Sequence, residues 1–500
     1  LRRLSRRPAA ALALIGVSLA LVLATAALGP SAATLALPQR RRALPPYWLD
    51  ADPSPWLVSG LLLTALATGA IGLLVGLRAL RAGWRPDHRR LVAAGAVAAA
   101  ALVLVPPMGS ADVLVYAAYG RLAALGADPY TQTAADLAAR GDPVGRAVEP
   151  PWTDAPSAYG PVATAEQWLA SQLAGPSTHA TVFWIALFGA LAFVATGLLL
   201  LRLAGPDAAA RARVGLLWSM NPLLLYEVVG GAHVDGLAVM FAVAALVAAP
   251  RWPFLAGLSA GAACAVKLTF GLYVLALLWA HRRSPRALAA LLAGGLLAGA
   301  LTYVPVGLHA LDQVRAVSRL VSFAVPWRLL VGPLEAVLPH GTARTLISVA
   351  AWVAFVLFAV VVARLLPPRR PDHDGDVTGT AVRAAAVLTI GWLLTAPYSL
   401  PWYDVIAWAP LVALPASRLD LLLLARTAVL GAAYVPGRVV ALPRGLEVLT
   451  QRGLRGVVAP LAGIGLLATA AGWAVTSGAR RRPTRRPPAA PPPPARQPAR

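Results

Sequence analysis

Apolar stretches recur along the whole chain, most of them close to the ~20 residues that carry a helix across a bilayer. They fall at roughly 9–28, 56–79, 91–107, 181–203, 213–230, 236–250, 286–307, 344–366, 384–398, 400–416, 420–435 and 456–476. A chain patterned this way has lipid as its main solvent. Charged residues make up only 13% of it and hydrophobic residues 58%, a balance that excludes soluble, fibrous and disordered classes together. The single cysteine, Cys264, excludes an intramolecular disulfide framework and a Cys-rich metal site. The expected fold is an all-α polytopic membrane protein of about 12–14 transmembrane helices.

The net charge of +23 raises the question of nucleic acid. Its arginines, however, cluster beside apolar spans: Arg2 to Arg7, Arg81 to Arg90, Arg282 to Arg286, Arg369 to Arg370 and Arg480 to Arg486. Such juxtamembrane charge orients spans with the basic ends inside. No basic stripe interleaved with aromatics appears, so no nucleic-acid partner is expected. The first apolar run follows LRRLSRR and reads as a retained anchor. Between 250 and 285, basic residues flank both ends of one apolar segment, Arg251 before it and HRRSPR after it. Two short helices meeting near Lys267, Leu268 and Thr269 satisfy that pattern, and one straight crossing does not. Both termini then lie in the cytoplasm. Arg40 to Arg42 and Arg438, Arg444, Arg452 and Arg455 fall on the external side against the rule. Residues 1–479 read as one membrane domain, and 480–500 as a basic, Pro-rich, disordered cytoplasmic tail.

The longest connection on this topology is external, about 109–180, and includes helical pieces such as DVLVYAAYGRLAAL. It holds seven of the chain's 21 acids: Asp112, Asp128, Asp136, Asp142, Glu149, Asp154 and Glu166. Long structured loops of this kind tend to carry function. Asp112 follows a span directly; it is either a general base for a hydroxyl acceptor or part of a helix cap with Ser110. Asp128, before Pro129 and Tyr130, reads as a turn opener. Tyr159 in APSAYGP sits on a rigid turn, where it stacks on a sugar or plugs a gap between helices.

Further along, NPLLLYEVVGGAHVDGLAVM places Glu227, His233 and Asp235 in or beside apolar spans. An ionisable group at the bilayer centre costs about 2.5–3.5 kcal/mol on insertion scales, so such groups are functional candidates, with helix capping the alternative for His233 and Asp235. Lys267 is the only lysine in a chain whose basic residues are otherwise arginine and seven histidines. An ammonium at a helix break suits a phosphate as a compact point charge, or it pairs with Glu227 or Asp235. PYSLPWYDVIAWAP puts Trp402 and Tyr403 at the outer interface, where an aromatic belt is the alternative to a site. His-x-Asp alone offers two ligands, so no metal site is expected.

In their order, DVLVYAAYGRLAALGADPY, SAYGP, NPLLLYEVVGGAHVD, AVKLT and PWY resemble the polyprenol-phosphate-mannose-dependent α-1,6-mannosyltransferases of actinobacterial lipoglycan synthesis. These are integral membrane glycosyltransferases of the GT-C class. The resemblance runs from about Asp112 to Tyr403; the family's GGAHND reads GGAHVD here, with Val234 replacing a polar residue. It implies a GT-C-like fold in the plasma membrane, a polyprenyl-phosphate-linked sugar donor, a glycan or lipoglycan acceptor and an external active site. By analogy, Asp112 is the catalytic base. Lys267 and His233 face the donor phosphate, and Asp128, Tyr130, Tyr159, Asp235, Trp402 and Tyr403 contact sugar or acceptor. No cofactor is assigned, and dependence on a divalent metal is left undecided. A transferase using another lipid-linked sugar such as arabinose shares all these features. A multi-pass transporter or flippase shares many passes and broken helices.

Overall fold

A computed structural model describes residues 2–38, 43–367 and 376–480. The basic loop Arg40 to Arg42, Arg369 to Arg370 and the tail beyond 480 lie outside the described residues. Within them the chain is helical, with an isolated bridge between Thr34 and Met108 and no strand. Among the described residues, seven helices are long and apolar enough to cross a membrane: Pro8–Ala27, Pro55–Arg81, Thr178–Leu203, Pro285–Tyr303, His340–Leu365, Val377–Thr395 and Arg444–Thr476. A further apolar pair, Ala208–Gly230 and Asp235–Ala248, is bent by 120° and forms either a broken span or a re-entrant loop. The other expected crossings are shorter helices, His88–Val103, Pro253–Val266, Gly271–His281, Val405–Val412 and Leu419–Tyr434, some ended by proline or by 3-10 turns. The protein is thus an all-α, multi-pass membrane protein.

Small residues set how closely these helices approach. Gly69 and Gly72 of Pro55–Arg81 lie against Ser18 and Ile15, while Ser18 Oγ donates to the Ala65 carbonyl at 2.6 Å. That descending order makes the first two long helices antiparallel. Pro253–Val266 and Pro285–Tyr303 interlock more tightly, with Gly257 on the Leu291 carbonyl and Gly261 on Ala298. Here both numbers rise together, so these two helices run parallel. Gly271–His281 between them must therefore return toward the starting face. The reversal expected at Lys267 is present, and Arg251 and Arg282 end on the same side.

One end of the bundle is fixed by a buried ion cluster. Asp420, fully buried, pairs with Arg213 and lies 3.5 Å from Arg81. The other end carries the loop helices. Arg438, which breaks the positive-inside pattern, grips Glu149 at 2.7 Å and donates to the Thr34 carbonyl at 3.1 Å. It closes the loop layer instead of orienting a span.

The two halves meet at that end through close backbone contacts. Gly160 donates to the Val266 carbonyl at 3.0 Å, and a Cβ on it would sit 2.1 Å from the Ala265 carbonyl oxygen. Gly437, with φ of +115°, rests on the Gly109 backbone. Gly160→Val is therefore expected to push the SAYGP turn off the Lys267 break. We expect it to cost about 2–4 kcal/mol, within the range for overpacking and larger backbone conflicts, read as a lowered unfolding temperature of the purified protein.

Candidate active site

A cavity of about 950 Å³ opens at the loop end of the bundle, at the upper end of the range for ligand sites. Asp112, Tyr159, Lys267, Trp402 and Tyr403 all line it. These residues span nearly 300 positions, so the fold and not local sequence brings them together.

Asp112 opens the helix Asp112–Ala124, whose N-cap is Ala111 and receives no side-chain cap bond. Ser110 Oγ accepts from the Asp112 backbone N–H at 3.0 Å. The Asp112 carboxylate therefore caps nothing and is left for the cavity. Tyr116, one turn later on the same face, donates its hydroxyl toward Asp112 Oδ2 at 3.5 Å. That hydroxyl also lies 3.2 Å from the Tyr159 hydroxyl and 3.4 Å from His233 Nδ1. Burial pushes the Asp112 carboxyl up to about 6, against the opposing pull of the Ser110 hydroxyl and the Lys267 ammonium. Burial, then neighbouring Tyr159 and Asp112, raise the Tyr116 phenol well above its usual value. Tyr116 is accordingly a neutral donor at physiological pH.

The break GGAH places the next layer. Ala232 has φ of +52°, and a Cβ on Gly231 would fall 2.5 Å from the His233 ring. The chain thus turns sharply, His233 folds back, and Asp235 begins a new helix where the positive end of the dipole favours an acid. His233 stacks on Trp402, with ring centroids 3.7 Å apart, and its Nδ1 is 3.7 Å from Asp112 Oδ2. It stands behind the cavity wall and is not among the lining residues.

Lys267 sits at the junction of Pro253–Val266 and the following 3-10 turn, in extended backbone. Its Nζ donates to both Asp235 oxygens, at 2.8 and 3.0 Å, and lies 3.5 Å over the Tyr403 ring. Of the two partners left open by the sequence, Asp235 is the one it takes. Trp402 and Tyr403 are held by the turn Pro401–Asp404, whose Asp404 is buried against Arg426 and accepts from Thr427 at 2.6 Å.

Three sequence candidates lie elsewhere. Asp128 caps the Tyr130 N–H at 2.9 Å and pairs with His309 at 2.7 Å. Tyr130 bonds Thr164 at 2.8 Å. Neither lines the cavity; both brace the loop helices between 109 and 180. Glu227 is buried with an unbonded Oε1 beside Gly431, also away from the lining. Tyr116 is absent from the sequence-based site candidates, although its i+4 spacing from Asp112 is a signal for it. Arg455 figures in the sequence only as a topological charge, although that residue lines the cavity. Among the described residues, no group of three or more His, Cys, Asp or Glu is arranged to hold a metal.

Comparison with known proteins connects this geometry to a family. Residues 13–283, more than half of the chain, match the family described as "Alpha-(1->6)-mannopyranosyltransferase, N-terminal domain". That segment contains Asp112, Tyr159, His233, Asp235 and Lys267. The chain is also similar to alpha-(1->6)-mannopyranosyltransferase B of Corynebacterium glutamicum, with 28% identity over 142 residues. That match covers 28% of this chain and only 24% of the relative. No solved structure matches. On the family match, this chain belongs to the alpha-(1->6)-mannopyranosyltransferase family of membrane glycosyltransferases.

Proposed function

We propose that the protein transfers mannose from a polyprenyl-phosphate-mannose donor to a hydroxyl of a glycan or lipoglycan acceptor, forming an α-1,6 linkage with inversion. The observation that carries this reading is an uncapped, partly buried carboxylate, Asp112, sharing one cavity with a buried ammonium and a group of aromatic rings. The cavity opens at the loop end of the bundle, which the flanking arginines assign to the external face of the plasma membrane, with both termini inside. A lipid-linked donor reaches such a site within the bilayer.

The acceptor oxygen bonds to the anomeric carbon as the bond from that carbon to the phosphate oxygen breaks. The electron pair leaves with the polyprenyl phosphate, and the acceptor proton passes to Asp112. Tyr116 and His233, within 3.5 and 3.7 Å of the carboxylate, fix its orientation. Lys267, held by Asp235, supplies positive potential in a water-poor site as charge develops on the leaving phosphate. Tyr159, Trp402 and Tyr403 offer ring faces to the sugars.

A base raised to about 6 gives a pH signature. Protonation below that value removes the base, so kcat/KM is expected to fall tenfold per pH unit below about 6 and to level off above it. An acid limb centred near 4 would assign the step to an ordinary exposed carboxylate. The donor assignment is tested by offering the purified protein polyprenyl-phosphate mannose, polyprenyl-phosphate arabinose and GDP-mannose with an α-mannoside acceptor. Transfer from the first alone supports the reading; transfer from the nucleotide sugar overturns it, and transfer from the arabinose donor changes the sugar.

A further inference from the structure

Among the described residues Asp112 is the only acid that lines the cavity, whereas Lys267, Arg319, His340, Arg344 and Arg455 bring basic groups to it. Most of these are already neutralised or solvated. Lys267 is taken by Asp235, and Arg344 and His340 share Glu335 at 3.0 Å each. Arg319 is exposed at the rim. Arg455 differs. It is partly buried, and no acid pairs with it among the described residues.

Two contacts hold its guanidinium in place. Nε donates to the Ala433 carbonyl at 3.0 Å and Nη2 to the Tyr434 carbonyl at 3.2 Å, the open end of the helix Leu419–Tyr434. The guanidinium carbon also lies 4.6 Å over the Tyr434 ring. Neither bond uses Nη1, so part of the donor fork is uncommitted. Tyr434 and Tyr398 line the same cavity as Asp112, and Gly437, three residues after Tyr434, rests on Gly109, three residues before the base. On its other side, Arg455 leads into the helix Ala459–Arg480, which packs on the lipid-facing His340–Leu365. Trp352 and Phe355 of that helix line the same cavity.

We propose that Arg455 binds the phosphate of the lipid-linked donor and retains it on the departing polyprenyl phosphate, whose chain lies along the Trp352–Phe355 wall. This inference rests on the lipid-phosphate reading above. A guanidinium fork matches phosphate oxygens better than a point charge does. The requirement also grows during the reaction: the phosphodiester of the donor carries one negative charge, and the released monoester carries up to two. Lys267 then remains in its pair with Asp235 throughout, adding positive potential at the leaving phosphate from a distance, while Arg455 binds the phosphate oxygens directly.

The test is titration of the detergent-solubilised full chain with a polyprenyl monophosphate, the corresponding polyprenol and phosphatidylglycerol. Wild type is expected to prefer the polyprenyl phosphate over both. Arg455→Gln, which keeps an N–H donor near the Ala433 carbonyl and removes the charged fork, is expected to weaken the polyprenyl phosphate about 10–100-fold and leave the polyprenol unchanged. Should that variant fail to fold, Arg455→Lys keeps the charge without the fork and is expected to lose about 5–10-fold. Unchanged phosphate affinity in a folded variant overturns the assignment, as does equal binding of phosphatidylglycerol. A wild-type protein that does not distinguish the phosphate from the alcohol overturns instead the donor reading on which the assignment rests.

Discussion

Asp112→Asn is expected to lower sugar transfer by about 10²–10⁴-fold, the usual contribution of a positioned general base, while leaving the fold intact. The geometry separates the two effects. The carboxylate makes no helix cap, and the imidazole of His233 stands 3.7 Å from it, so an isosteric amide breaks no buried ion pair. Burial raises the carboxyl toward 6, which means the charged form is held against a desolvation cost that asparagine does not carry. Thermal stability is therefore expected to be equal or slightly higher as turnover collapses. Near-normal turnover in well-folded Asp112→Asn would remove this residue as the base.

Lys267 is expected to show the second large effect, and here stability and activity fall together. Replacing it by methionine leaves Asp235 buried without the ammonium that now sits 2.8 and 3.0 Å from its oxygens. Breaking one side of a buried pair costs about 3–5 kcal/mol, so Lys267→Met is expected to melt far below wild type. Adding Asp235→Asn removes the orphaned charge and is expected to restore most of that loss. Transfer is not expected to return with it, because the positive potential at the leaving phosphate, worth about 10²–10³-fold, is still missing. Recovery of both properties in the double variant would make Lys267 a structural residue only.

How much of this was readable in the chain depends on where each residue finds its partner. The long apolar helices, the reversal at Lys267 and the helical pieces of the 109–180 connection follow from local patterning, and the structure has all three. Asp112 was legible because an acid opening a helix directly after a span is unusual in a chain with so few acids. Its supporting Tyr116 needed only the i+4 rule, since both lie on one helix face. Asp128 and Tyr130 were read as sugar contacts through resemblance alone. Their partners, His309 and Thr164, are supplied by later parts of the chain. The pairing of Glu149 with Arg438, 289 positions apart, was equally invisible. Charge counting treated Arg438 and Arg455 as topological exceptions. In the structure each carries specific bonds, one closing the loop layer and the other facing the cavity.

The same limit explains the site as a whole. Residues 13–283 carry the family match, whereas Trp402, Tyr403 and Arg455 lie beyond it and complete the wall. Trp402 and Tyr403 rest on the turn Pro401–Asp404, fixed by buried Asp404 and Arg426, and Arg455 on the Ala433 and Tyr434 carbonyls. No short motif encodes that arrangement.

The central claim is that a lipid-linked sugar occupies the cavity between Asp112 and Lys267. Photolabelling tests it most directly, using a polyprenyl-phosphate mannose whose sugar bears a diazirine, followed by peptide mapping of the full-length protein. The account predicts labels within 109–124, 155–162 and 397–405, each suppressed by unmodified donor. Specific labelling confined to the lipid-facing surface of 285–303 or to the Asp420 end of the bundle would contradict it.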